Sequence, residues 1–494
     1  MTASDLGLDP QTPVLVGVAV CNQQAEDPAA GQEAFQLMAK ALQAAAADAG
    51  NPLLLADADS IMVPQGTWQY SDAARLVADA VGATKAKTVL AQIGILQQTL
   101  LNDACRAIAA GEQDIVLVIG GETKYRNLRS SILGQPVQET LQKGVLPDQV
   151  LTPEEELWST AEAASGLAMP VGYYTIMENA LRYSQDQNID DHRDEIAELC
   201  ASMSAVAQNN PQAWNRDPIA ASAIRNEEGK NKMLAFPYTK LHNSQWNVDQ
   251  TAGLIFCSVA VAEKMGVPRE KWIFPLAGTE SNHMVTLSAR KELHRNPGMA
   301  IAGKRALELA GIDIDAIKYL ELYSCFPVAV RIQQNELGVA PNKPVTVTGG
   351  MTFAGGPLNN FVFQALVRMA EVLRADPGTT GLVSCVSGMI TKQGFGLYST
   401  EPINGGFQFQ DVSAEVAANT TTCSILEGYQ GSATIAGYTV LYNPGAPTRG
   451  VIVADTPTGE RVIAYTEDPE LTALMVAEEF CGETVVICGD NTFC

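Results

Sequence analysis

Histidine is scarce, with four residues, His192, His242, His283 and His294, in a chain of 494. No two of them are spaced as a metal-ligand pair, so a metal centre is not expected. Want of a histidine base also disfavours a serine hydrolase. Ten cysteines lack the close pairs that mark zinc or disulfide frameworks and read mostly as small buried hydrophobes. Apolar runs such as residues 115–119 are strand-sized, far short of the roughly 20 residues that span a bilayer, so no membrane insertion is expected. The start, Met1 to Pro10, has neither a basic n-region nor an apolar h-region, which points to a cytoplasmic protein. Basic residues are also few, 32 against 55 acidic, for a net charge of −23. That field repels nucleic acid and anionic lipid, and any phosphate must be held locally by a few Lys or Arg or a helix N-terminus.

What is present suits a large globular interior. Hydrophobic residues make up 46% and charged residues 18%, and the length implies about three domains at 100–200 residues each. Residues 13–20 read as a strand and 33–49 as a helix ended by Gly50. Strands at 61–63, 88–93 and 114–120 then alternate with helices at 72–81 and 95–110. Such alternation implies a parallel sheet covered on both faces. From about 125 to 245 the pattern becomes a mostly helical insertion, followed by strand-like runs at 251–258 and 272–276. A second series follows: helix 298–310, strand 317–322, helix 327–337, strand 345–348, helix 359–375, and strands 381–387 and 394–398. The two series suggest an internal duplication, 1–270 and 271–402. Beyond a Gly-rich hinge at 402–406, short alternating runs at 408–417, 433–441, 450–454 and 461–465 read as a β-barrel-like, OB-like domain over 403–494.

Two glycine-rich segments imitate known motifs and fail. Gly350 to Gly355 has the spacing of a phosphate loop, but Gly356 and Pro357 stand where Lys and Ser/Thr are required. Cys385, Val386, Ser387 and Gly388 lack the glycine two residues before serine that a nucleophile elbow needs. Three segments remain at the predicted C-terminal ends of strands, where open α/β sheets bind ligands. They are Tyr323 to Pro327, Gly349 to Pro357, and Cys385 to Gly388. Two thiols there could share one cavity and shuttle a proton; the alternative for each is a packed core cysteine.

In order and spacing these segments resemble the three C-terminal signature blocks of thiolases: Asn-Glu-Ala-Phe or His-Asp-Cys-Phe, Gly-His-Pro, and Cys-x-Gly. Flanking text, including Lys240 to Asn243 and Val248 to Gln250, is similar to the sterol-carrier-protein branch, in particular its thiolase-like members with an added C-terminal domain. The resemblance covers essentially the whole chain and implies a thiolase fold, with two βα halves in five αβαβα layers, and acyl-CoA as substrate or ligand. The family's nucleophilic cysteine would fall in Gln92, Ile93, Gly94 and Ile95, where there is no thiol. Cys105 lies about three helical turns further on. The Gly-His-Pro histidine is replaced by Gly356. Tyr323 takes the place of Asn or His, Cys325 matches the cysteine of the first block, Cys385 matches the acid/base cysteine, and Ser387 replaces a glycine.

The resemblance therefore implies an acyl-CoA-binding protein whose nominal activity is acetyl-CoA acyl transfer but which lacks the parts for ordinary thiolysis. Two alternatives stand beside it: a divergent acyl-CoA enzyme, acyltransferase or retro-aldol lyase, using Cys325 and Cys385 for proton transfer, and a non-catalytic partner protein. Candidate catalytic residues are Cys325, Cys385 and Tyr323, with His242 a weaker one. Candidate substrate-binding residues are Gly355, Gly356, Pro357, Ser387, Gly388 and Asn243. Arg126, Arg129, Lys143, Arg225, Lys230 and Lys232 are candidates for the CoA 3′-phosphate. Thiolases pair through the strand near 88–93, which leaves monomer and homodimer both open here.

Overall fold

The computed structural model describes residues 7–443 and 445–493. The reading of Met1 to Leu6, the turn at Pro444 and Cys494 lie outside the described residues. The first half contributes strands β1 (Pro13–Gln23), β2 (Ser60–Pro64), β3 (Lys87–Ala91) and β4 (Ile115–Thr123). The insertion contributes β5 (Gln149–Leu151), β6 (Met233–Ala235) and β7 (Tyr238–Thr239), and β8 (Asp249–Ser258) returns to the core. The second half holds β9 (Phe274–Ser281), β10 (Tyr319–Glu321), β11 (Thr380–Ser387) and β12 (Lys392–Ser399). The tail adds β13 (Gln408–Asp411), β14 (Gly431–Asn443), β15 (Ala446–Asp455), β16 (Arg461–Thr466) and β17 (Thr484–Ile487).

One core sheet has the order β1-β8-β4-β2-β3-β5 and the other β10-β11-β12-β9-β13. Within the first, β2 runs parallel to β3 and β4, and β8 is antiparallel to β1 and β4. The helices Gln97–Ala109 and Phe361–Ala375 contact strands of both sheets and fill the layer between them. Helix Ala34–Ala49 covers the outside of the first sheet and Pro297–Ala310 the outside of the second, giving five layers, α-β-α-β-α. Close approach is built in. A Cβ on Gly17 of β1 would lie 2.4 Å from the Ala45 carbonyl oxygen, so the first helix seats on this strand only because residue 17 has no side chain.

Helix ends fall close to where their signals stand. Asp72 caps Ala73–Val81 by accepting the Arg75 N–H, and Asn296 caps Pro297–Ala310 through Met299 N–H. Two expectations are corrected. The stretch 345–348 is not a ladder strand: the buried Glu321 carboxylate accepts the Val347 and Thr348 N–H groups, each at 2.8 Å, and both threonine hydroxyls. Its backbone donors are spent on a side chain instead of a neighbouring strand. The run 408–417 is strand only to Asp411, after which Ser413–Asn419 is helical.

The tail is also less separate than a hinged appendage. β13 joins the second core sheet beside β9, and the remaining strands form a sheet of order β16-β15-β14-β6-β7, with β17 also on β14. Two of those strands, β6 and β7, belong to the insertion. Helix Pro170–Ser184 packs on β14, where Thr175 Oγ1 donates to Thr439 Oγ1 at 2.8 Å and Asn179 Nδ2 donates to the Tyr438 carbonyl at 2.9 Å. The insertion likewise repairs the first sheet, since β5 pairs with the edge of β3. No helix among the described residues is long and apolar enough to cross a membrane.

Candidate functional site

Three backbone turns meet at the end of the second core sheet, held together by a short list of hydrogen bonds. Tyr323 N–H donates to Ser384 Oγ at 2.8 Å, joining the segment after β10 to β11. Ser324 Oγ accepts the Met351 N–H at 3.0 Å, joining it to the glycine-rich segment. The stretch after β7 closes over both: Ser244 N–H donates to the Cys325 carbonyl, Gln245 N–H to the Met351 carbonyl, and Gly356 N–H to the Gln245 carbonyl. The predicted blocks therefore come together, and Ser244 and Gln245 join them.

Within this junction Tyr323 lies between the two thiols. It is the common neighbour whose ionisation both Cys325 and Cys385 oppose, and its buried hydroxyl is hydrogen-bonded by the Gln97 side chain. Cys385 points at the start of helix Gln97–Ala109. Burial pushes its thiol up to about 12, against the pull of the Gln98 and Gln97 N–H groups on its sulfur. Those are orphan donors of a helix first turn, pre-oriented to stabilise negative charge. Cys325 precedes helix Pro327–Leu337; burial raises its thiol to about 12, opposed by the Tyr174 hydroxyl and the N–H groups of Phe326 and of Cys325 itself. The Tyr174 ring stacks on Phe326 at 4.3 Å between centroids. Tyr323, Cys325 and Phe326 each retain 8% exposure, whereas Cys385 has 1%, so the Cys325 side is the more open one.

The binding candidates divide. Gly355, Gly356 and Pro357 are buried in this junction. A side chain at 355 would strike Gln250, whose Oε1 is 1.9 Å from a built Cβ, and one at 356 would strike Ser244 Oγ at 2.0 Å. The glycines are thus required by close packing, and Ser244 fills the place a histidine would enter. Ser387 and Gly388 begin a turn in which Gly388, Met389 and Ile390 all have positive φ, 59°, 50° and 69°. For a β-branched residue that is an uncommon conformation. Arg290 holds it by donating to the Gly388 carbonyl at 3.2 Å and the Met389 carbonyl at 2.6 Å, while Asn296 donates to the Ile390 carbonyl. Strain fixed by surrounding groups is typical of sites that bind or react.

His242 and Asn243 lie just before Ser244, but Asn243 turns its amide back to the Thr239 carbonyl at 2.7 Å. His242 Nδ1 accepts the Thr239 N–H, which leaves the ring proton on Nε2, buried and without a partner among the described residues. Burial pulls this imidazole down to about 3, so it is neutral at physiological pH. It stacks on Tyr238, which stacks in turn on Phe326.

Of the basic candidates, Arg129 pairs with Glu26, and Arg225 with Asp190 and Asp194. Arg126 is buried and donates to the Pro28 and Gln138 carbonyls. Lys143, Lys230 and Lys232 are exposed. No group of three or more His, Cys, Asp or Glu among the described residues could hold a metal ion.

Sequence reasoning missed Tyr174, Gln97, Ser244 and Lys392. The first two lie inside helical runs whose phase alone does not show which residue faces a thiol. Lys392 carried a usable signal: it is the lone charge in a stretch, 390–399, that is otherwise uncharged.

Comparison with known proteins agrees with this layout. Residues 411–492 match the family described as the thiolase-like protein type 1 additional C-terminal domain. Over 98% of this chain and 99% of the other, the fold matches a monomeric SCP2-thiolase like protein type 1 from Mycobacterium smegmatis, with TM-score 0.82 and 27% identity. The Ltp2-ChsH2(DUF35) aldolase shares the fold at TM-score 0.60 and 18% identity, over 80% of this chain and 99% of that one. An acetyl-CoA acetyltransferase of Methanothermobacter thermautotrophicus is 21% identical over 332 residues, 64% of this chain and 78% of that protein.

Proposed function

We propose that this chain, a thiolase-like protein of type 1 with the additional C-terminal domain, binds an acyl-CoA thioester and moves a proton at its acyl α-carbon without becoming acylated. The observation that carries this is the pair of thiols about Tyr323: both cysteines sit at helix N-termini, and Tyr323 feels both. No acylation nucleophile stands beside them. The stretch 92–95, where the nucleophile is expected, has no thiol, and within it Gly94 has φ of 106° and a side chain there would press on Pro153.

In this reading the Cys385 thiol, protonated at rest because burial raises it to about 12, first yields its proton to solvent, and the thiolate then takes the α-proton. The C–H electron pair becomes the enolate double bond, and the carbonyl pair moves to oxygen. Helix N–H groups stabilise the thiolate and Tyr323 donates toward the developing charge. The same parts suit retro-aldol cleavage of a β-hydroxyacyl thioester, which the missing nucleophile favours over thiolysis. There a base takes the hydroxyl proton, the C–C pair passes to the α-carbon as the ketone leaves, and a thiol returns a proton to that carbon. The β5 cap on β3 covers the edge through which thiolases pair and supports a monomer, which sedimentation would test.

The test is exchange of acetyl-CoA methyl protons in deuterium oxide, followed by NMR, together with mass spectrometry of CoA esters that copurify. Exchange by the native chain that falls at least a hundredfold in Cys385→Ala supports the reading. Exchange unaltered in both Cys385→Ala and Cys325→Ala, or no CoA ester bound at all, overturns it.

A further inference from the structure

Lys392 opens β12 with 2% exposure, one of the largest fully buried side chains of the molecule. Among the described residues its ammonium has one hydrogen bond, to the Gly94 carbonyl at 3.4 Å. Three N–H donors are available, so most of its capacity is unspent. The neighbouring carboxylates do not close on it. Glu155 gives Oε2 to the Met284 N–H at 3.0 Å, and Glu154 and Glu155 act on the lysine only through space. A buried cation with so little compensation is costly unless something anionic or strongly polar arrives to meet it.

Its position is as informative as its burial. In the β11–β12 ladder Cys385 faces Gly394 and Ser387 faces Lys392, so Cys385 and Lys392 lie on the same face, one same-face step apart. As diagonal neighbours on adjacent strands they lie roughly 7–8 Å apart. The residue opposite Cys385 is Gly394, over which the Gln98 side chain packs, its Cβ 2.7 Å from a built Cβ at 394. The lysine stem runs past Gly388, and its amine reaches the strand-to-helix turn where a nucleophile is missing. The Cys385 sulfur and the Lys392 ammonium thus both approach the start of helix Gln97–Ala109, the sulfur at the Gln97 and Gln98 N–H groups and the ammonium at the Gly94 carbonyl. Burial pulls the amine below its usual range, opposed by Glu155 and Glu154.

We propose that Lys392 contacts the acyl group directly, with its ammonium, held at the Gly94 carbonyl, binding the carbonyl oxygen of the thioester. This rests on the acyl-CoA reading above and deepens it. Charge that collects on that oxygen when the α-proton leaves falls on a fixed cation, so the donor stabilises the enolate more than the bound ester.

Lys392→Met and Lys392→Gln test the assignment by calorimetric titration with CoA and acetyl-CoA and by isotope-edited infrared spectra of acetyl-CoA labelled with ¹³C at the thioester carbonyl. The expected result is CoA affinity within about twofold of native, acetyl-CoA binding at least about tenfold weaker, and a carbonyl band, shifted to lower frequency on the native chain, that returns to its solution position in both variants. A native chain that binds CoA and acetyl-CoA equally, or variants that keep the acetyl preference and the shifted band, overturns the role of Lys392 alone. A native chain that binds neither ligand overturns the acyl-CoA reading and this assignment together. Thermal melting of Lys392→Met at or above native establishes that the losses are not unfolding, as expected when a buried uncompensated cation becomes apolar.

Discussion

The Oγ of Ser244 stands 2.0 Å from where the Cβ of residue 356 would be, so Ser244 and Gly356 exclude one another's growth. The two belong to segments more than a hundred residues apart in sequence, joined by the Gly356 N–H bond to the carbonyl of Gln245.

Gly356→Ala should therefore destabilise the chain by about 1–2 kcal/mol through overpacking. Ser244→Ala should relieve most of that loss, giving a coupling of about 1 kcal/mol in a double-mutant cycle. Denaturant unfolding measures it, and simple additivity of the two changes would show that the contact yields freely.

Thiol reactivity should follow exposure and pH. Cys488 is exposed and should alkylate first, Cys325 later, and Cys385 last. Because burial raises both site thiols to about 12, labelling of each should climb about tenfold per pH unit between pH 7 and 10, since only thiolate reacts. Tyr174→Phe keeps the stack on Phe326 but removes the hydroxyl, and should slow Cys325 labelling several-fold, as read by peptide mass spectrometry.

Glu321 should tie stability to pH. Burial raises its carboxyl to about 7, above the roughly 4.3 of an unfolded glutamate. The folded state then holds a proton that the unfolded state has lost, so stability falls as pH rises from about 4.3 to 7. Glu280, raised to about 7 by burial, adds to the same window. Glu321→Gln should flatten part of this slope, because the amide does not titrate, while its oxygen can still accept the Val347 and Thr348 N–H groups. Glu321→Ala orphans those donors and should cost about 3 kcal/mol or more. Unfolding curves from pH 4 to 8 decide it, and a slope unchanged in Glu321→Gln would exclude the carboxyl as a source.

Asn179→Ala should destabilise by about 2 kcal/mol. Its amide is the donor shared by the Phe236 and Tyr438 carbonyls, both buried, and alanine removes it from both, leaving the Phe236 carbonyl only the Thr439 hydroxyl. A loss below about 0.5 kcal/mol would mean that the insertion and tail do not depend on this bond.

Much of this architecture was legible in the chain because the signals were local. Helix 73–81 carries its cap at Asp72 and its stop at Gly82, and the alternation of strand and helix in both halves follows from hydrophobic period alone. What was not legible required partners distant in sequence. Residues 345–348 look like a strand until Glu321 takes their donors, and Met233 to Thr239 show no sign that their pairing partner lies two hundred residues on. The site behaved similarly. Cys325, Cys385 and Tyr323 were visible as residues of three neighbouring segments, whereas Tyr174 and Lys392 enter it only through the fold.

The β6–β7 hairpin takes its place beside β14, so the stretch around Ala235 finishes its sheet with a strand some two hundred residues further along. During translation the hairpin and the face of helix Pro170–Ser184 stay uncovered until β14 has left the ribosome. The tail therefore acts as a latch: a product that stops before β14 cannot close the face of its own insertion.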